Sequence, residues 1–196
     1  SVGNDFGTIE QDVLRRDFTI NALYYDPIQE QIIDYVGGMR DIKKHILKPV
    51  IPIDTIFVED PVRMLRAIKY SATTHAKMSF SLRHKIRQSA SLLGQISPSR
   101  LTEELLKIIN SGHAYDIILE AMDTDLFMYL QPSAASMIFD NKEIQEKYLE
   151  NLKKLDYINK TEKNVRLGKK LYYLVFDFIS ILTERKKEVA QKYSSN

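Results

Sequence analysis

The pattern of apolar and polar positions changes period near residue 58. Before that point, β-forming residues stand on either side of a polar, proline-containing turn in Tyr24-Tyr25-Asp26-Pro27-Ile28-Gln29-Glu30-Gln31-Ile32-Ile33-Asp34-Tyr35-Val36, ahead of Gly37-Gly38. This predicts a hairpin closing on a glycine turn. After that point the apolar positions recur at helical spacing. Asp60 stands as an N-cap, Pro61 suits the first helical position, and Val62, Leu65, Ile68 and Ala72 fall on one face. A second helix is predicted from about Leu82 to Leu93, stopping at Gly94. A third opens at Ser97-Pro98, carries Leu101, Leu105, Ile108 and Ile109 inward and ends near Gly112. Tyr115 to Met122 supplies a fourth. Beyond Pro132, Ile144, Tyr148, Leu152 and Leu155 form one stripe, and Leu171 to Leu182 a mostly apolar helix. Strand signals that stop by about residue 58, followed by an all-helical region, define an α+β chain that is mainly α-helical.

With 196 residues, 44% of them hydrophobic, the chain can bury the core of one domain plus a small second lobe or two. The longest apolar stretch, Leu171 to Leu182, is broken by Asp177 and falls short of the roughly 20 residues that span a bilayer. No basic segment followed by an apolar one marks a signal peptide at the start, so a cytoplasmic location is expected and no membrane partner. The absence of cysteine excludes disulfides and thiolate metal sites, and His45, His75, His84 and His113 show no paired ligand spacing. Net charge is only +2, yet basic residues cluster at Lys153, Lys154, Lys160 and Lys163 and again from Arg185 to Lys187. Such runs either coat a solvated helix face or touch phosphates along RNA.

Candidate chemistry is concentrated in two strings, Arg15-Arg16-Asp17-Phe18-Thr19-Ile20-Asn21-Ala22-Leu23 and Glu59-Asp60-Pro61-Val62-Arg63-Met64-Leu65-Arg66-Ala67. Each places charged and amide groups where a plain core would be apolar. If Phe18 to Leu23 forms a short helix, Asp17 and Asn21 project from one face while Phe18 and Ala22 turn to the core. Arginine offers a planar fork of donors for phosphate or for a base acceptor, and aspartate and asparagine bond hydroxyls and amino groups. Arg16, Asp17 and Asn21 therefore meet the needs of ribose and phosphate. Asp60 and Arg63, three apart at a helix start, can set an acceptor and a donor fork side by side against a base edge. Without further context the same residues describe a capped amphipathic helix with ordinary ion pairs.

The context is a resemblance. The first string resembles the RRDFTxNAL segment, and the second the EDPxRxLRA segment, of the bacterial poly(A) polymerase and CCA-adding enzyme family, which adds nucleotides to RNA 3′ ends without a template. Between them, Asp34-Tyr35-Val36-Gly37-Gly38-Met39-Arg40-Asp41-Ile42 resembles the family's DxxGGxxDL turn, in family order and at family-like spacing. The resemblance implies sugar and phosphate contacts for Arg16, Asp17 and Asn21. It implies a protein template for the incoming base at Asp60 and Arg63, with Arg66 in the same cluster, either pairing Asp60 or supporting Arg63. Gly37, Gly38 and Asp41 then form either a hinge between catalytic head and helical neck or a plain glycine turn. Ser97-Pro98-Ser99-Arg100-Leu101-Thr102-Glu103-Glu104-Leu105 resembles the neck, where Arg100 and Glu104 would brace the base-reading helix. In domain terms, residues 1–58 are expected to end the head, 59–130 to form the neck and 131–196 to begin the body.

Asp34-Tyr35-Val36-Gly37-Gly38 and Tyr24-Tyr25 resemble the poly(A) polymerase form more than the CCA-adding form, which implies ATP as substrate and an mRNA or tRNA 3′ end as partner. A CCA-adding enzyme is the alternative, and a non-catalytic RNA- or nucleotide-binding helical module is the alternative of another class. Two departures matter. Lys48 to Ile56 lacks the glycine and arginine of the family's RxIGxPxxRFxED run. Nucleotidyl transfer also implies Mg2+ held by closely spaced carboxylates, and the family's Asp-x-Asp pair after a GGxVRD segment is not found ahead of Arg15. Asp123-x-Asp125 has the spacing but reads as the C-terminal turn of a helix. The chain by itself is accordingly expected to be inactive. Incubated with labelled ATP, Mg2+ and an RNA primer, it should incorporate no label, and robust metal-dependent incorporation would overturn that expectation.

Overall fold

The computed structural model describes residues 8–194, so part of the stretch ahead of Arg15 lies outside it. The chain divides into two compact units. One runs up to Ser97 and takes in Thr124–Leu126; the other comprises Pro98–Asp123 and the chain from Phe127 onward.

The first unit opens with a helix that the sequence reading left out, α1 (Ile9–Arg15). It starts on a capping box: the Thr8 hydroxyl accepts from the Gln11 amide at 3.3 Å, and the Gln11 side chain accepts from the Thr8 amide at 3.1 Å. Asp17 to Thr19 then runs extended beside Lys48 to Val50. The Val50 N–H donates to the Asp17 carbonyl at 3.0 Å and the Thr19 N–H to the Lys48 carbonyl at 2.9 Å. The segment lacking the family's glycine and arginine thus has a defined path, paired with the first string.

A 3₁₀ turn at Thr19–Asn21 leads into the predicted hairpin, β1 (Leu23–Asp26) antiparallel to β2 (Gln31–Asp34), with Tyr24 opposite Ile33. Phe18 and Ala22 are fully buried, as the spacing predicts. Next come α2 (Gly38–Lys43), β3 (Ile46–Leu47), α3 (Ile53–Glu59), α4 (Val62–Thr74), β4 (Lys77–Met78), α5 (Phe80–Ser89) and a 3₁₀ segment at Ala90–Gln95. The expectation that strands stop near residue 58 is corrected by β4, which pairs in parallel with β3. Two residues are too few for alternation to register in sequence. On α4, Val62, Leu65 and Ile68 are buried together with Met64 and pack the core shared with Phe18, Leu47, Ile56 and Phe57.

The turn before α2 is held by one side chain. Asp34 accepts from the backbone amides of Val36, Gly37, Gly38 and Met39, at 3.2, 2.8, 2.9 and 2.9 Å. Gly37 has φ of 82°, the left-handed region that glycine enters without strain. Gly38 meets a different constraint, because a Cβ built there would lie 2.2 Å from the Thr19 carbonyl oxygen. Asp41, 2% exposed, reaches the same residue from α2 and accepts from the Thr19 hydroxyl at 2.7 Å.

The second unit is helical throughout its described residues: α6 (Pro98–Ile109), α7 (Ala114–Asp123), α8 (Phe127–Leu130), α9 (Pro132–Ile138), α10 (Lys142–Thr161) and α11 (Leu167–Ser194). The predicted stripe of Ile144, Tyr148, Leu152 and Leu155 is buried along α10. Tyr148 centres the core, with ring centroids 5.7 Å from Phe127 and 5.3 Å from Phe178, and its hydroxyl bonds the Gln131 side chain. Asp156 accepts from the Ala114 and Tyr115 amides at 2.7 and 2.9 Å and so closes the N-terminus of α7. Burial pushes its carboxyl above the ordinary range, against the pull of those two donors. Asp125, two residues past Asp123 at the end of α7, has φ of 62°, in keeping with a C-terminal turn.

Burial raises the Asp34 carboxyl, but the four amide donors together outweigh it and hold the group below its ordinary value. A depressed folded-state value means that the stabilisation is complete at neutral pH and is lost as pH falls through it. Asp34→Ala should cost about 2 kcal/mol at pH 7. Its deficit against the parent chain, measured by urea unfolding, should shrink once the pH drops below about 4.

Candidate functional site

The two strings meet in the first unit. Asp17 follows directly on α1 at the start of an extended stretch and is 5% exposed. One carboxylate oxygen accepts from the Phe18 amide at 2.8 Å and from the Asn21 side-chain amide at 3.2 Å. The other accepts from Arg66 Nε at 2.5 Å. The predicted Asp17–Asn21 face is therefore real, though built on a 3₁₀ turn. Arg66, for which pairing with Asp60 or support of Arg63 was expected, also bridges 49 positions back to Asp17. Its guanidinium lies 5.2 Å from the Tyr70 ring centroid, and Tyr70 meets Phe18 edge-on at 6.1 Å. A carboxylate this well buried needs both oxygens satisfied, and Asp17 achieves it with three donors.

Arg16 sits on the outer side of the same corner with its side chain 48% exposed. It pairs with Asp12 at 3.3 Å, and its guanidinium lies 5.6 Å from the Tyr24 ring centroid. Tyr24 donates its hydroxyl to the same Asp12 oxygen at 2.6 Å. That bond lowers the Asp12 carboxyl and raises the Tyr24 phenol, while Tyr24 first and Asp12 after it favour the charged form of Arg16. The result is a cation held at the surface with unspent donors.

Asp60 ends α3 in extended conformation, and its carboxylate accepts from the Val62 amide at 3.2 Å, capping α4 as the sequence predicts. Arg63 lies otherwise than a free base-reading fork would. Its guanidinium donates to the Ile56 carbonyl at 3.3 Å, to Glu59 at 3.0 Å and to the Arg15 carbonyl at 3.2 Å, with the side chain 12% exposed. It ties the α3–α4 corner to the end of α1. Beside Asn21 opens a cleft of about 310 Å³ whose walls include Ile20, Ile42, His45, Thr74 and Ala76.

Gly37, Gly38 and Asp41 gather at the Asp34 turn, locked onto Thr19 of the first string. Arg100 and Glu104 belong to the second unit on α6, where Arg100 is exposed and Glu104 is buried and accepts from Lys107 at 2.8 Å. The contacts by which Asp12, Tyr24 and Tyr70 hold the arginines were not read from the sequence. Asp12 with Arg16, and Arg66 with Tyr70, stand at i,i+4, the spacing that could have found them. No group of three His, Asp or Glu side chains among the described residues could hold a metal ion, and no helix among them is long and apolar enough to cross a membrane.

Residues 2–48 match the family described as "Poly A polymerase head domain", and residues 77–138 match "Probable RNA and SrmB- binding site of polymerase A". The chain belongs to the bacterial poly(A) polymerase and CCA-adding enzyme family. It is 39% identical to poly(A) polymerase I of Salmonella typhimurium over 138 residues, 70% of this chain and 30% of that protein. To the CCA-adding enzyme of Lactobacillus helveticus it is 34% identical over 118 residues, 60% of this chain and 29% of that one. A tRNA nucleotidyltransferase solved with a primer tRNA and an incoming ATP analog superposes with a TM-score of 0.71 at 25% identity, covering 86% of this chain and 49% of that one. The chain thus spans about three-tenths of the length of the curated relatives it matches.

Replacing Asp17 by asparagine leaves half-buried Arg66 facing an uncharged partner. Asp17→Asn should cost the first unit about 2–3 kcal/mol in denaturant unfolding, and Asp17→Asn combined with Arg66→Met should be less damaging than the sum of the two single changes.

Proposed function

We propose that this chain is part of a template-independent RNA 3′-end nucleotidyltransferase, a poly(A) polymerase that adds AMP from ATP and works in the cytoplasm. The observation that carries the choice is the higher identity to poly(A) polymerase I, 39% over 70% of the chain, against 34% over 60% for the CCA-adding enzyme. In this reading residues 1–58 end the catalytic head, 59–130 form the neck and 131–196 begin the body.

Arg16 takes the triphosphate, since its guanidinium is charged, half exposed and pre-oriented by Asp12 and Tyr24. Asp17 and Asn21 border the ribose, and Arg66 fixes the Asp17 carboxylate so that Asn21 keeps one orientation. Asp60 presents an acceptor to the base at the start of α4. Arg63 acts there as its partner, and a base edge that engages its fork competes with Glu59 and the Ile56 carbonyl. Gly37, Gly38 and Asp41 hold the turn that seats Thr19, and Arg100 and Glu104 keep the bracing role in the neck that the resemblance implies. A magnesium ion would neutralise phosphate charge during transfer. The described residues do not form its site, because Asp123 and Asp125 belong to a helix end and no three ligating side chains converge among them.

The full-length natural protein, given an RNA primer, Mg2+ and either ATP or CTP alone, should extend the primer into long ladders with ATP and not with CTP. Addition of C followed by a single A to tRNA ends would assign the CCA-adding activity instead, and no product would leave a binding module. Arg16→Ala should raise KM for ATP about tenfold with a smaller change in kcat.

A further inference from the structure

The helical hairpin of α10 and α11 holds a concentration of charge that the nucleotide site does not use. From Lys153 to Lys170 the sequence carries seven lysines and arginines against two carboxylates, on a chain whose net charge is +2. One of the two, Asp156, is buried and spent on the N-terminus of α7. The other, Glu162, binds Lys169 through both oxygens at 3.1 and 2.9 Å. Lys153 also pairs with Glu150 at 3.0 Å beside the Tyr115 ring, and Lys170 donates to the Asn110 side chain at 2.7 Å. The outward positive surplus therefore rests on exposed Lys154, Lys160, Lys163 and Arg166.

At the closed end of the hairpin lies a cleft of about 410 Å³, lined by Lys153, Lys154, Tyr157 and Ile158 of α10 and by Lys169 and Tyr173 of α11, with Glu162 at its edge. The volume lies within the range of about 300–1,000 Å³ usual for ligand sites. Tyr157 is 68% exposed, a large area of ring to leave in water beside buried Ile158. Tyr172 and Phe176 continue the aromatic surface along α11, 50% and 44% exposed with centroids 4.6 Å apart. Lysines flanking exposed rings are the combination that binds single-stranded nucleic acid, the cations following phosphates and the rings taking bases by stacking. An acidic peptide would use the lysines but would leave the rings unexplained.

We propose that the α10–α11 cleft is a docking site for single-stranded RNA, with Tyr157 stacking on a base and Lys153 and Lys154 contacting the adjoining phosphates. The site lies beyond residue 138, where the match to the RNA-binding family segment ends. It rests on reading the chain as part of an RNA 3′-end enzyme and gives the RNA a seat within the second unit. Because stacking is indifferent to base identity, the site is sequence-tolerant and lets a tail of any composition pass.

The test is fluorescence anisotropy of a labelled oligo(A) of about 12 nucleotides with the 196-residue chain, with no nucleoside triphosphate present. Tyr157→Ala should weaken binding about tenfold, and Tyr157→Phe should stay within about twofold because the ring remains. Lys153→Gln with Lys154→Gln should flatten the salt dependence by about 1.4 in log–log slope. These side chains are at the surface, and unchanged circular-dichroism melting would establish that the variants fold. Absence of binding by the parent chain would overturn the proposal, as would unchanged affinity in folded Tyr157→Ala or an equal loss by that variant on heparin. Primer elongation by the full-length protein without these losses would remove the cleft and leave the enzymatic reading standing. The losses without elongation would keep the cleft and remove the enzymatic reading.

Discussion

The Asp17–Arg66 pair is the constraint on which the first unit's site depends. It joins residues 49 positions apart, and it does so through a carboxylate that is 5% exposed. A bare charge in that position would be too costly to bury. Its cost is offset by three donors that come from three different parts of the chain: Phe18 next to it, Asn21 one turn on, and Arg66 from α4. Each donor is thereby placed as well as used. Asn21 takes its orientation from Asp17, Arg66 lies against the Tyr70 ring, and Tyr70 presses on Phe18, whose burial completes the circuit.

Two kinds of contact recur around this pair: a carboxylate collects backbone or hydroxyl donors, and an arginine lies against an aromatic ring. Asp34 collects four amides, Asp41 the Thr19 hydroxyl and Asp156 two amides at α7. Arg16 has Tyr24, and Arg66 has Tyr70. Buried polar groups so satisfied specify one arrangement of the backbone. The first string is held from both sides, by Lys48 to Val50 along its backbone and by α2 at Thr19.

Much of this was legible in the sequence where a feature is periodic or local. The hairpin, the buried face of α4, the α10 stripe and the Asp60 cap all follow from spacing of two or three and four residues, and the structure has them. The Asp17–Asn21 alignment was legible as well, because four residues is a local distance. What sequence could not disclose depends on chain segments meeting from afar. Nothing in Glu59 to Ala67 says that Arg66 reaches Asp17, or that Arg63 turns back to the carbonyls of Arg15 and Ile56. The parallel pairing of Lys77–Met78 with Ile46–Leu47 is two residues long and carries no pattern at all. α1 was missed although its Thr8–Gln11 capping box is a local signal.

The Asp156 cap on α7 decides what that helix end can hold. A helix N-terminus is a ready seat for a phosphate, because its free amides and dipole favour an anion. Here that seat is filled from inside by a carboxylate, so an incoming strand finds no fixed amide cradle at α7. What the α10–α11 hairpin offers instead is long, rotatable lysine side chains and flat rings. Contacts of that kind can be exchanged one nucleotide at a time, with none that must break outright. On the proposed function, a strand growing at its 3′ end would translocate after every addition, and a surface without a deep phosphate trap would keep the barrier to each step low.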